Sequence, residues 1–508
     1  MNKVNITMIK YWKELVFFGV ICAIYTICSA PGLTWAGYGS DIGDFFGAAK
    51  YGQVLHAPGH AFYTIWAFIA MRIPIGSEGW RLSYFASTIP ALITIVLVFL
   101  VTKKIVKNKI APYVASVVTA GSNIFLMQAS IPESYAITTM LLLMMYLLCL
   151  DGRYTLASIN LGLIASMHTL GWVAIPVFFI AYRPLRKKWL WFIATAFVMY
   201  AFTLIRGMYG ESFSIISGSL WGILQYIIGT AADNNKWWFS LPIWQIPWKI
   251  GSAIVILTVS FGAGLFAAIL GYRRWRVYPI PVVMSIAPLA YYLGCVTDIT
   301  TKIVFLSAPF IGILAGIGVS YCRKEFAYMV FAISLTLLLA LPSRYDIGNT
   351  LDPNMSAQLT YNQFFEIPDG SIVVGLGKYE HNDETLLMGV SGREQTLLHT
   401  FNKYNGTHNV PVNISMYVSG MRIEGYDDIG DYYRKNLENE YGIEAPYCGG
   451  YDISGDKSEI YVYWVNIHCL WEANKDRTVY YSTVIDSDPF LRILTPYNGE
   501  WREWLIDY

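Results

Sequence analysis

Two aspartates three residues apart and two histidines four residues apart hold most of the chemistry in the first eighty residues. They lie in the segment GYGSDIGDFFGAAKYGQVLHAPGHAFYTIWAFIAMRIPIGSEGWR, residues 37–81. At i, i+3, Asp41 and Asp44 share one face of a helix. Two such carboxylates serve as a general base, or hold a divalent cation such as Mg2+ or Mn2+ whose charge offsets their repulsion. The same spacing also fits a helix N-terminus, with Asp41 at the N-cap and Asp44 at the third position. Both uses stay open on spacing alone.

His56 and His60 flank Ala-Pro-Gly. A pair at i, i+4 shares a metal on a regular helix, but Pro58 and Gly59 argue against one there. The apolar run that opens at residue 61 instead puts the pair at a helix N-terminus, where a phosphate is well received. Glu133, in QASIPESYAI, is placed in the first turn of the next apolar span, after Pro132 at its first position. His168 falls at a turn between two short apolar stretches, where packing is its ordinary role. No C-x-x-C or histidine-rich metal spacing occurs.

The elements that must position these groups are membrane spans. Of 508 residues, 55% are hydrophobic and only 14% charged, with a mean hydropathy of +0.42. Those values exclude a disordered chain and an ordinary soluble enzyme. Residues 1–342 carry 24 Lys and Arg against 10 Asp and Glu, while 343–508 carry 12 against 25. We expect a membrane domain over 1–342 and a water-soluble mixed α/β domain over 343–508. The basic residues of the first part sit between apolar spans, so they set topology and do not mark a nucleic-acid partner.

Apolar stretches of spanning length fall near 14–34, 82–101, 110–129, 135–150, 154–168, 169–182, 189–206, 250–271, 277–296, 303–321 and 326–342. These eleven, with the N-terminus inside, place 17 basic residues in inside segments and seven outside. The apolar run 61–75 is too short for a ~30 Å hydrocarbon core and is expected to lie at the interface. Counting it as a span would put KKIVKNK outside. The expectation is a multi-pass protein of a prokaryotic plasma membrane or the ER membrane, with a cytoplasmic N-terminus and an outer or lumenal C-terminal domain. Residues 14–34 read as an uncleaved anchor.

In the outer domain, runs 371–376, 414–419, 460–467 and 479–484 read as strands, and 393–403 and 428–440 as helices. Cys448 and Cys469 are its two cysteines, and an oxidising exterior permits their pairing. Asn354, Asn405 and Asn413 head N-x-[ST] sequons. The aromatic segment 207–249, with Trp237, Trp238, Trp244 and Trp248, suits an interfacial element.

Taken together, D-x-G-D-x-x-x-A-A-x-x-x-G, then H-x-P-G, a short amphipathic helix, G-W-R and a span ending in lysine resemble the first outer loop of GT-C membrane glycosyltransferases. The nearest branch is the one called domain of unknown function 2723, which includes protein O-mannosyltransferases. Its Asp-x-Gly-Glu is matched at Asp41 and Gly43, with Asp44 in place of Glu. Its His-Pro-Pro-Gly-x-Pro is matched at His56, Pro58 and Gly59, with Ala57 and Ala61 in place of prolines. PESYAIT around Glu133 resembles its A-E-V-Y-x-L, and SMHTLGWVAIP around His168 resembles its G-N-H-x-T…P.

The resemblance covers roughly residues 35–182. It implies a polyprenyl-phosphate-linked sugar, such as a mannosyl donor, at the outer face of the bilayer and a protein or glycan acceptor. It implies a loop carboxylate as base, first Asp41, then Asp44 or Glu133. His56, His60, His168, Lys50 and Arg81 are the expected substrate-binding residues, the last two with Arg72, Arg206 and Lys302 as outer cations that either meet the phosphate or anchor at the interface. Two other classes compete: a transporter or flippase of lipid-linked substrates, and a non-catalytic assembly protein. An oligosaccharyltransferase is a nearer rival, but its W-W-D-x-G motif is absent.

Overall fold

The computed structural model describes residues 3–34, 42–55, 60–208, 227, 243–294, 300–344, 357–375, 391–413, 417, 429–448, 458–485 and 488–498. Asp41, His56, Cys295, Asn354, Trp237 and Trp238 lie outside the described residues. The chain divides into two compact units, Met1–Pro31 with Ala48–Leu351, and Gly32–Gly47 with Asp352–Tyr508.

The first unit is helical. Its elements are α1 (Lys3–Cys28), the end of α2 (Ile42–Tyr51), α3 (Ala61–Met71), α4 (Glu78–Ser83), α5 (Ile89–Ile105), α6 (Ala111–Ala120), α7 (Asn123–Ala129), α8 (Ser134–Leu150), α9 (Tyr154–Ala165), α10 (Ala174–Ala181), α11 (Arg183–Arg186), α12 (Trp189–Met208), α13 (Ile246–Phe261), α14 (Ala263–Tyr272), α15 (Pro279–Gly294), α16 (Thr300–Ser320) and α17 (Lys324–Arg344). Helix therefore occupies every one of the eleven apolar stretches. By length and composition, four described helices suffice to cross a membrane, and a bent pair makes a fifth; the other apolar helices described are shorter.

Two expected continuous spans are interrupted. The stretch 110–129 breaks between α6 and α7, and 250–271 breaks at Gly262, where φ is +50°. A positive φ suits glycine and ends a right-handed helix. Glycine also decides the packing of α16. A Cβ at Gly312 would collide with Thr119 Oγ1, and one at Gly318 with the Ala267 carbonyl, so backbones approach closely there. Many large apolar side chains face outward, among them Phe197, Trp244 and Trp248. A bilayer is the solvent that accepts such a surface.

The second unit is α/β. It holds α18 (Ala357–Gln363), β1 (Ile372–Gly375), α19 (Ser391–Asn405), β2 (Val410–Asn413), α20 (Ile429–Tyr441), α21 (Ser458–Ala473), β3 (Val479–Ile485) and β4 (Asp488–Pro496). The sheet order is β2-β1-β3-β4, parallel except for the β3–β4 pair. Its core gathers Ile372, Val374, Val410, Val412, Tyr417, Ile467, Leu470, Val479 and Tyr481. Phe46, from the first-loop segment, meets the ring of Tyr361 in this unit with centroids 5.1 Å apart.

One strand expectation is corrected. Residues 460–467 lie inside α21, a 16-residue helix that buries Ile467 and Leu470 one turn apart and carries Cys469. The β-branched and aromatic run reads as a strand only in a short window. Of the strand expected at 414–419, all but Tyr417 lies outside the described residues. Cys448 and Cys469 are disulfide-bonded, with Cα atoms 6.3 Å apart.

Candidate active site

Two of the sequence-expected residues, His60 and His168, meet in the first unit, and a third, Glu133, lies close enough to Tyr63 to act on its phenol. His60 precedes α3, Glu133 precedes α8, and His168 lies in the turn after α9. The imidazoles of His60 and His168 have centroids 5.1 Å apart, and Tyr135 stands 5.1 Å from His168 on its other contact. Tyr63, one turn into α3, is fully buried. Burial first, and then the carboxylate of Glu133, push its phenol well up. His60 is 4% exposed and Glu133 2%.

The turn after α9 is held by one carbonyl after another. The Ala165 carbonyl accepts from Trp172 Nε1 at 2.9 Å and from the Tyr200 hydroxyl at 3.0 Å. The Ser166 carbonyl accepts from the Phe62 amide at 3.2 Å. The Met167 carbonyl accepts from His60 Nδ1 at 2.8 Å. Gly171 makes this turn fit, since a Cβ there would press on Ile164 Cγ2 at 2.7 Å. His168 Nδ1 in turn accepts from the Leu170 amide at 3.0 Å.

Glu133 sits where α7 and α8 meet at a bend of 113°. It is the N-cap residue of α8, two positions earlier than the second-position placement expected from the sequence. A π-helical turn, Tyr84–Thr88, lies between α4 and α5 and faces this break. Ser87 Oγ accepts from the Glu133 amide at 2.9 Å and donates to the Glu133 carbonyl at 3.3 Å. Thr88 Oγ1 donates to the Ala129 carbonyl at 2.8 Å. Irregular backbone at this depth needs such partners, and π-turns recur at functional sites. Nearby, Gln128 in α7 is fully buried.

Three of the expected cations have structural partners. Lys50 Nζ pairs with Glu78 Oε2 at 2.9 Å. Arg81 Nη1 donates to the Ile73 carbonyl at 3.0 Å. Arg72 donates to the Ala49, Lys50 and Phe68 carbonyls at 2.6, 2.9 and 3.0 Å, with its guanidinium over the Phe68 ring. That places Arg72 on the exposed carbonyls at the end of α2, a position a cation favours.

Asp44 lies in the other unit, 2% exposed, at the third position of α2. Among the described residues no three His, Cys, Asp or Glu side chains gather as a metal site. Sequence reasoning missed Tyr63, Tyr135 and Ser87. Only the Ser-Thr pair inside an apolar span, ASTIP, signals anything in advance.

No family model and no curated protein matches this sequence. By structure, the chain is similar to an Archaeoglobus fulgidus oligosaccharyltransferase solved with a tethered acceptor peptide containing an NVT sequon. The TM-score is 0.51 at 13% identity, over 97% of this chain and 75% of that one. ArnT from Cupriavidus metallidurans bound to undecaprenyl phosphate gives 0.49 at 11%, over 78% and 72%. Apo ArnT gives 0.48 at 10%, over 81% and 92%. Scores below 0.5 add nothing to the argument. The fold is thus similar to that of the oligosaccharyltransferase, a polytopic helical membrane unit with a C-terminal α/β unit.

Proposed function

We propose that the protein is an integral membrane glycosyltransferase. It transfers a sugar, a hexose such as mannose, from a polyprenyl-phosphate donor to an extracytoplasmic acceptor. The observation that carries this reading is the meeting of His60, His168 and Tyr135, with Glu133 close enough to Tyr63 of α3 to act on its phenol. Within a GT-C-like fold, three segments far apart in sequence converge there, and they are three of the four whose motifs resemble the O-mannosyltransferase-like branch. That branch is the finer part of the proposal. A peptide is the acceptor held by the oligosaccharyltransferase similar in fold, so a protein acceptor is the first to try.

In this reading Asp41 is the base for the acceptor hydroxyl and Asp44 orients the acceptor or assists a cation. Glu133, in the first unit, is a further carboxylate candidate. The donor's lipid tail stays in the bilayer and its phosphate enters beside the histidines. The bonded Cys448 and Cys469 support an outer, oxidising location for the second unit.

The test is purified protein incubated with radiolabelled polyprenyl-phosphate hexose, scored for sugar release and transfer to peptide or glycan. Sugar leaving the lipid supports the reading. Proteoliposomes that move intact donor across the bilayer without cleaving it would establish the transporter class instead.

A further inference from the structure

We propose, resting on the glycosyltransferase reading above, that His60 and His168 hold fixed and different protonation roles. His60 is the imidazole that gains and gives a proton at Nε2, as the acid that meets the donor's leaving phosphate. His168 is a permanently neutral donor through Nε2–H.

The assignment follows from what each Nδ1 faces. The Met167 carbonyl only accepts, so the His60 Nδ1 at 2.8 Å carries a hydrogen. The Leu170 amide only donates, so the His168 Nδ1 at 3.0 Å keeps its lone pair, and in the neutral ring the hydrogen is on Nε2. These tautomers are assigned from the partners' chemistry. A proton added to His168 must go onto Nδ1, which sets two N–H groups against each other. A proton added to His60 goes onto Nε2, and the bond to Met167 is kept and becomes charge-assisted. With the rings 5.1 Å apart, one imidazolium also disfavours a second.

The groups around the pair agree. Tyr63 comes from α3, Glu133 and Tyr135 from the start of α8, and Arg81 of α4 is directed to the Ile73 carbonyl. Among these, Glu133 is the carboxyl group, close enough to Tyr63 to push its phenol up. His60 is also the one non-glycine among the described residues with a positive φ, at 35°. Glycine would adopt that backbone more easily. A histidine held there by Met167 points to use of the ring.

The chemical step balances. The bond from the sugar's anomeric carbon to the phosphate oxygen breaks, and its electron pair stays on that oxygen. The acceptor oxygen bonds to the anomeric carbon and gives its proton to the carboxylate base. A phosphodiester with one negative charge becomes a monoester, whose second ionisation lies near pH 6. His60 passes its Nε2 proton to the leaving oxygen and returns to the neutral Nδ1–H form.

The experiment is nitrogen-15 NMR of histidine-labelled full-length protein in nanodiscs from pH 5.5 to 8.5. Spectra are taken with and without sugar-free polyprenyl phosphate, and His60→Asn and His168→Asn assign the signals. The expected result is one ring locked as Nε2–H at every pH and a second that goes from Nδ1–H to doubly protonated, more so with the phosphate. In transfer assays, His60→Asn lowers kcat by ~10²-fold or more, the lower end of acid–base effects, and flattens the acidic limb of the pH profile. His168→Asn keeps an acceptor for the Leu170 amide; it raises the donor KM and leaves the shape of the profile. A His168 that titrates, or a His60 that stays neutral with phosphate bound, in protein that transfers sugar, overturns the proton assignment alone. Wild-type protein that cleaves no donor overturns the glycosyltransferase reading and the leaving-group step with it.

Discussion

Lys50 and Glu78 meet at 2.9 Å although the whole of α3 lies between them in sequence. Arg72, just after α3, reaches the Ala49 and Lys50 carbonyls at the end of α2. The chain therefore leaves α2 and leaves α3 at one place. An 11-residue helix spans only ~16 Å at 1.5 Å per residue, about half a hydrocarbon core. The element does not carry the chain across a membrane. We expect Arg72→Ala to loosen this closure by about 2 kcal/mol, the scale of a charge-assisted hydrogen bond, and Arg72→Lys to recover only part. Thermal unfolding in detergent measures it, and a wild-type Tm in Arg72→Ala would show that the three bonds contribute nothing.

The same closure makes a statement about topology. Lys104 pairs with Asp151, Tyr278 reaches the Ile105 carbonyl, and Arg274 lies over Tyr321. Each contact joins chain ends that the positive-inside pattern assigns to the cytoplasm. We expect Lys107→Cys to resist an impermeant thiol reagent added outside intact cells and Lys435→Cys to react. Reaction at position 107 would invert the arrangement and take the site argument with it.

How far this was legible from sequence depends on the length of the signal. Apolar runs of spanning length are long, so a helix appears in every one. Breaks inside them are short-range events: the bend before Glu133 and the stop at Gly262 leave little mark in an average over twenty residues. In the second unit, eight residues of α21 imitate a strand because Val, Tyr, Trp and Ile suit both states. The strand β4 was not seen at all. Pro489 and Pro496 lie in it, and it is the sheet's edge, where proline is tolerated. The site was legible only as motifs. Nothing local tells that His60 will bond Met167, 107 residues away, and the partners that set its tautomer are backbone groups, which carry no sequence signature.

The disulfide closes a loop between residues 21 apart. The chain-entropy estimate for such a loop is roughly 3 kcal/mol at 25 °C. Denatured, unreduced protein should therefore alkylate at five of its seven cysteines, and at all seven after reduction. Cys448→Ser should lower the resistance of the second unit to proteolysis. Seven reactive thiols without reductant, in protein isolated from its native membrane, would contradict both the bond and the outer location it supports.

His399 gives the second unit a pH dependence. Burial lowers its folded-state pKa below the ordinary 6.5, the Glu440 carboxylate opposes this, and Lys403 adds to it. The folded state therefore holds fewer protons than the unfolded chain below that value. Its contribution to stability is complete above pH ~6.5, the unfolded value, and is lost as pH falls toward the folded one. We expect the unit to unfold more readily at pH 5 than at pH 7.5, and His399→Gln to flatten that difference. Equal pH dependence in both proteins would remove His399 as its source.

Asp41 and Asp44 separate chemistry from capping. The helix begins at Ile42, so Asp44 stands at its third position, as in a capping pair, and it is 2% exposed. A carboxylate acting as general base for the acceptor contributes typically 10²–10⁴-fold. If Asp41 does so, Asp41→Asn should lower turnover by ~10²-fold or more, the low end of that range, while folding and donor binding persist. If the pair only caps α2, asparagine serves equally well, and the change should cost at most ~1 kcal/mol of stability with activity near normal. Asp44→Asn is read alongside. A loss in kcat there, with Asp41→Asn active, moves the base to the third position of the helix. Full activity in both variants leaves α2 with a capped end and no base, and Glu133, on the other unit, becomes the carboxylate to substitute next.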